Sequence, residues 1–253
     1  LIVGLLFGVS KLGFYDRAHV FAQMPTGAIT HTIASVTGTV YARYQNSREQ
    51  LSAAFRRALR FILRSTIPIS LLLVVEAPVL VHSLIKDKWL PLVPILRWML
   101  LYSLCRPVQD DINALLRSVG DPKRIIRHYG AQFGFLLFAT PLLAINYGAE
   151  GAAMSMSIGA VIGIGVALWS CTAYVDVPWT KTLAPPLAAG GAALGTRLLA
   201  TPMVESLPLL AGGFVGGAIL LITYGLVLLA IERRALLDEI NTLYTAARTG
   251  GKF

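Results

Sequence analysis

Seven long apolar stretches follow one another along this chain, and they restrict its fold more than any other feature. They run from about Phe14 to Tyr41, Thr66 to Leu84, Leu92 to Leu115, Ile125 to Ile145, Ala152 to Tyr174, Leu183 to Leu199 and Leu209 to Ile231. About 20 apolar residues cross a bilayer as a helix. In lipid, only helices and closed barrels satisfy every backbone N–H and C=O. The stretches lack period-2 alternation, which excludes a barrel. The expected fold is therefore all-α, a polytopic transmembrane bundle of seven full spans. Composition agrees: 55% of residues are hydrophobic, 14% are charged, and mean hydropathy is +0.66, against about 25% charged in soluble domains.

The sequence opens on a further apolar run, "LIVGLLFG". It is too short to span and has no basic region before it as a signal peptide would. It reads as the end of a preceding helix in a longer protein, closed by a turn at "VSKLG". Residues 1–231 then form the bundle. Residues 232–253 form a tail in which Leu236, Ile240, Leu243 and Ala247 mark a short interfacial helix. Ser47 and Gln50 have capping-box spacing, so a helix should start near Arg48 with Leu51, Phe55, Leu59 and Ile62 as its apolar stripe. "SVGDPKR" and "NYGAEG" read as turns.

The net charge of +9 is explained by basic loops rather than by nucleic-acid binding. Arg43, Arg48, Arg56, Arg57, Arg60, Arg64, Arg117, Lys123, Arg124, Arg127, Lys181, Arg233 and Arg234 fall at one set of span ends. Lys11, Lys86 and Lys88 fall at the other. The positive-inside rule makes the first set, and the C-terminus, cytoplasmic. The arginines of 56–64 suit a helix drawn to anionic lipid. Cys105 and Cys171 both lie in apolar segments and read as small apolar residues, without disulfide or metal-ligand spacing.

One stretch interrupts the apolar pattern. In "LLYSLCRPVQDDINALLRSVGDPKR", Arg106, Asp110, Asn113 and Arg117 recur at helical spacing, with Gln109 beside them. An ion inside a membrane costs at least about 2.5–3.5 kcal/mol on insertion scales. Such a face must line a watery pathway or pair with itself to glue helices. Glu76 also lies mid-span. Counted from Lys88, it stands roughly 18 Å up one helix and Arg97 roughly 13 Å up the next, so Arg97 is its nearest partner by depth. Asp110 and Glu76 are therefore ion-pair candidates. The first span adds Arg17, Thr30 and His31, the last two within a run of hydroxyls that either pack helices or line a cavity. No nucleotide loop, zinc motif or nucleophile elbow occurs in the sequence. The reading is not an enzyme, with no cofactor and no metal.

The ordered segments "KLGFYDRAHVFAQMP", "SREQLSAAFRRALRFI", "KDKWLPLVPILRWM", "LLRSVGDPKR" and "NYGAEGAAMSMSIG" resemble the C-terminal half of polysaccharide repeat-unit (Wzx-like) flippases. These form the polysaccharide transporter branch of the multidrug/oligosaccharidyl-lipid/polysaccharide exporter superfamily. The resemblance implies the C-terminal bundle of a fourteen-span transporter in the bacterial inner membrane. It would flip an undecaprenyl-diphosphate-linked oligosaccharide by alternating access between two bundles. The implied partners are the lipid-linked oligosaccharide, membrane lipid, the N-terminal bundle and a polysaccharide biosynthesis complex. A diphosphate calls for arginines, which points to Arg106, Arg97 and Arg17, with Asn113, Gln109, Thr30 and His31 as further lining, and with Asp110 and Glu76 as their partners in the empty state or as carriers of a coupling proton or Na⁺. The alternatives are a cation-coupled drug or metabolite antiporter, a membrane-embedded polymerase or ligase, and a structural membrane subunit.

Overall fold

A computed structural model describes the backbone of residues 2–85 and 87–248, and the side chains of 13–24, 27, 36–83 and 87–233. The described elements are helical throughout, as the apolar runs require. The chain divides into two compact units, Leu1–Thr182 and Leu183–Phe253.

The first unit opens with α1, Ile2–Tyr44, and α2, Arg48–Ile85. A single 3-10 turn, Asp87–Trp89, leads to α3, Leu92–Ser118. The expected turn at "VSKLG" is absent: α1 runs straight through it. Gly13 is that segment's one breaker, and a lone glycine inside a helix costs only about 1 kcal/mol. The start of α2 follows the sequence reading, with the Ser47 hydroxyl accepting the Gln50 N–H at 3.5 Å. Its stripe of Leu51, Phe55, Leu59 and Ile62 is fully buried.

α3 ends on a glycine for a geometric reason. Gly120 has φ of 77°. Its N–H donates to the Arg117 carbonyl at 3.2 Å, and the Asp121 N–H donates to Leu116 at 3.0 Å. This pair of bonds, the Schellman arrangement, satisfies carbonyls that a helix end leaves free. Pro122 then opens α4, Lys123–Cys171.

α4 holds two of the expected spans. It breaks at Gly148, where φ is 64° and ψ is −142°, inside the expected "NYGAEG" turn. Its limbs fold back on each other: Thr140 and Ser155 share a 2.9 Å hydrogen bond. A Cβ at Gly151 would sit 2.0 Å from the Leu143 carbonyl oxygen, so the hairpin closes only over glycine. The first limb exposes Ile126, Phe133, Leu137, Phe138, Leu142 and Ile145, an apolar face suited to lipid.

α3 packs against α1, α2 and α4. It is also the least hydrophobic of the long helices. The chain thus places its most polar span at the centre of this unit, where neighbouring helices can satisfy it.

The second unit takes most of α5, Trp179–Leu199, then a short α6, Thr201–Glu205, and α7, Leu209–Arg248. α6 packs on α7, and a Cβ at Gly212 would meet the Val204 carbonyl at 2.6 Å. α7 leaves helical geometry at Glu232 (φ −115°, ψ 23°). Helices over Arg48–Ser83, Lys123–Cys171 and Leu209–Arg233 are long and apolar enough to cross a membrane.

Candidate functional site

Because α3 turns about 100° per residue, its polar side chains cannot all face one way. Arg106 and Asp110 come together. The Arg106 Nε donates to Asp110 Oδ2 at 3.0 Å, and Nη1 donates to the Tyr102 hydroxyl at 3.0 Å. The guanidinium is 45% exposed and the carboxylate 22%, so the pair borders open space rather than sealed core. Across from it, α1 brings up His19 and Gln23, one turn apart and hydrogen-bonded to each other. The His19 ring lies 6.1 Å from that of Tyr102. A polar strip therefore runs between α1 and α3: His19 and Gln23 on one side, Tyr102, Arg106 and Asp110 on the other.

Gln109, about 60° round the helix from Arg106, faces α4 instead, and Asn113, on the Arg106 face but two turns further along, meets α4 as well. The Gln109 amide is buried, with its nitrogen 3.5 Å from both Gln132 Oε1 and the Ala160 carbonyl. The space for it exists because Gly163 has no side chain; a Cβ there would lie 2.8 Å from that nitrogen. Asn113 donates to the Tyr129 hydroxyl at 3.0 Å. Arg97 ties α3 to α2 by donating to the Val74 carbonyl at 3.2 Å. Glu76 is buried on α2, and Arg17 is exposed on α1. Thr30 and His31 lie outside the residues whose side chains are described.

Sequence reasoning passed over Asp111. It is 1% exposed and bonds the Tyr41 hydroxyl of α1. The signal was the doublet Asp110-Asp111: neighbours in a helix face different directions, so one of the two had to enter a second interface. Tyr102, His19 and Gln132 were likewise missed, because aromatic and amide residues in apolar runs give no pattern until a partner helix is placed.

The helix ends expected to be cytoplasmic do meet at one end of the unit. Arg48 grips Asp176 with Nε at 2.8 Å and Nη2 at 2.7 Å, and donates to the Thr172 and Ala173 carbonyls at the end of α4. A cation there also complements the helix dipole. Arg56 donates to the Asp176 carbonyl, and Ser52 accepts its N–H. A second knot joins Arg124, Asp121 and Tyr174, with both bonds to Asp121 at 2.7 Å. Arg48 holds the Asp176 carboxyl below its ordinary value, chiefly through hydrogen bonds. Hydrogen bonds from Tyr174, then Arg124, do the same for Asp121. At the opposite end, Phe14 packs edge-on against Trp89 at 5.2 Å, and Trp98 donates to Glu150 at 3.3 Å. Phe14, Pro91, Pro94, Tyr147 and Glu150 help to line a cavity of about 260 Å³ there.

Residues 1–94 match the family described as "Polysaccharide biosynthesis protein". The chain is 25% identical over 163 residues to the Lipopolysaccharide biosynthesis protein WzxC of Escherichia coli (strain K12), covering 64% of this chain and 32% of that protein. It is 20% identical over 120 residues to the Teichuronic acid biosynthesis protein TuaB of Bacillus subtilis (strain 168), covering 47% of this chain and 25% of that one. The chain thus spans a third or less of the length of these relatives. Among solved structures, the Lipid II flippase MurJ in an inward closed conformation superposes with a TM-score of 0.78 at 16% identity, over 93% of this chain and 50% of that one. That likeness is one of fold. Family match, sequence relatives and helical architecture bear out the resemblance of this chain to the polysaccharide repeat-unit flippases.

Proposed function

We propose that the chain is the C-terminal part of an inner-membrane transporter that flips a lipid-diphosphate-linked oligosaccharide for polysaccharide biosynthesis. The reading takes the lipid carrier to be undecaprenyl and the cycle to be alternating access, with the C-terminus cytoplasmic and no covalent chemistry on the substrate. The observation that carries it is the Arg106–Asp110 pair, half-open to the strip between α1 and α3.

A carboxylate on the same helix keeps Arg106 neutralised while the site is empty. A diphosphate offers more oxygens and more charge, and guanidinium binds such groups in forked geometry. Substrate binding then exchanges one partner of Arg106 for another. Tyr102 keeps the guanidinium oriented through its hydroxyl. His19 and Gln23 supply hydrogen-bonding groups beside it, suited to sugar hydroxyls. Arg17 and Arg97, whose described contacts do not join them to Arg106, would meet the substrate elsewhere on its path. The N-terminal bundle would close the other wall.

The test is a flipping assay with the full-length protein and lipid-linked oligosaccharide in liposomes. Arg106→Ala should reduce flipping at least tenfold while folded protein is recovered at the normal yield. Normal flipping by that variant would remove Arg106 from the pathway and, with it, the main support for the proposal.

A further inference from the structure

Asp111 and Tyr41 meet deep between α3 and α1, 1% and 0% exposed. The Tyr41 oxygen lies 2.9 Å from one carboxyl oxygen of Asp111 and 3.0 Å from the other. A tyrosine hydroxyl carries one proton and can also accept. The Thr37 hydroxyl, one turn earlier on α1, also faces the carboxyl. A protonated acid adds a proton of its own. The tyrosine then donates to the acid's carbonyl oxygen, and the acid's O–H donates back to the tyrosine oxygen, closing a ring. The two nearly equal distances fit this ring.

The surroundings favour the same state. An unpaired ionised carboxylate in an apolar interior is so costly that the group takes up a proton instead. Against the pair, α1 presents Tyr41 itself and α2 presents Phe55, whose ring centroid is 6.2 Å from that of Tyr41. The titratable group facing it from α4 is Cys171, which is buried. None of these is cationic. On α3 itself, the neighbouring Asp110 is taken by Arg106.

We propose that Asp111 is a proton-carrying site: a neutral acid ring-bonded to Tyr41 while α1 and α3 are packed, which ionises when they part. On separation water reaches the carboxyl, its O–H bond breaks, and the proton passes to water, while Tyr41 keeps its own. Repacking takes a proton back. The opening of the α1–α3 interface is thereby linked to proton release. That this linkage serves transport rests on the flippase reading; the protonation itself does not. The site replaces Asp110 as the candidate for coupling, since Asp110 already has its cation.

Infrared spectroscopy of the full-length protein in liposomes tests this directly. The protonated-carboxyl C=O band should be present at neutral pH and lost in Asp111→Asn. It should persist in Asp110→Asn and Glu76→Gln. A carboxamide keeps one donor and one acceptor, so Asp111→Asn should still bond Tyr41 and fold. In Tyr41→Phe the band should move to the frequency of a less hydrogen-bonded carbonyl. A band unaltered by Asp111→Asn overturns the assignment, and one unmoved by Tyr41→Phe overturns the ring. Spin labels at Arg43→Cys and Arg117→Cys, both exposed ends, should separate as rising pH removes the band. The distance should stay fixed in Asp111→Asn; equal pH dependence in both proteins would overturn the linkage. If Arg106→Ala flips normally while the infrared results hold, the function proposal falls and this one stands.

Discussion

Arg106 illustrates what a single residue in this chain is asked to do. It holds two partners on its own helix, Asp110 and Tyr102, yet it remains open on one side. Arg106→Lys keeps the charge but not the planar fork. We expect that variant to fold normally and to flip substrate several-fold more slowly, in the same liposome assay. Gly151 makes an opposite demand, for the absence of a side chain. The methyl group of Gly151→Ala would collide with the Leu143 carbonyl, and overpacking of this kind costs about 1–3 kcal/mol. The expected outcome is a lower unfolding temperature in detergent, with the Gly165→Ala variant, whose Cβ meets nothing within 4 Å, as the unaffected control. Arg106 and its carboxylate were legible in the sequence because ions stand out against apolar residues. Asp111, equally charged in the sequence, was not assigned a role, because burial and the tyrosine opposite depend on how two helices are rotated.

At the level of elements, the ends of α2, α3 and α4 are fastened by ion pairs while their middles are fastened by packing. Asp176 and Asp121 both titrate below the ordinary carboxylate value of 3.8 in the folded chain. A depressed carboxylate contributes stability above its unfolded value, and that contribution is lost as pH falls through the folded value. The Arg48–Asp176 and Arg124–Asp121 knots should therefore hold unchanged from about pH 5 to 8 and loosen below 3.8. Hydrogen–deuterium exchange at residues 171–178 should rise at acid pH well before the buried middle of α3 responds. Asp176→Asn should give the same local increase at neutral pH; no change there would show that the knot does not fasten the end of α4. The helices themselves were visible in the apolar runs, and their ends in Ser47, Gly120-Asp121-Pro122 and Gly148. The segment at "VSKLG" differs: its lone glycine is too weak to stop a helix, and α1 continues through it.

For the whole molecule, the basic residues make a topological statement. The ends bearing Arg48, Arg56 and Arg124 are in contact with the end of α4 and the segment after it, so they share one side. In the topology we propose, from the positive-inside rule, that side is cytoplasmic. A cysteine introduced at Arg57 should react with a membrane-impermeant maleimide only in inverted vesicles. One at Lys88 should react only in intact cells or right-side-out vesicles. The reverse pattern would invert the proposed topology and with it the direction of the flipping cycle.

What the sequence alone determined was the class of object: an all-helical bundle of apolar segments, most of the helix ends, and the resemblance to polysaccharide flippases. Those properties follow from hydropathy and local backbone chemistry, which act within a few turns of chain. The tertiary structure decided the rest. It placed α3 against α1, α2 and α4, sent Arg106 toward an open strip, turned Gln109 and Asn113 into the contact with α4, and set Asp111 against Tyr41 seventy residues away. The physical reason is rotation. A helix sequence specifies which residues share a face, but the partner that each face meets is fixed only when the neighbouring helices pack.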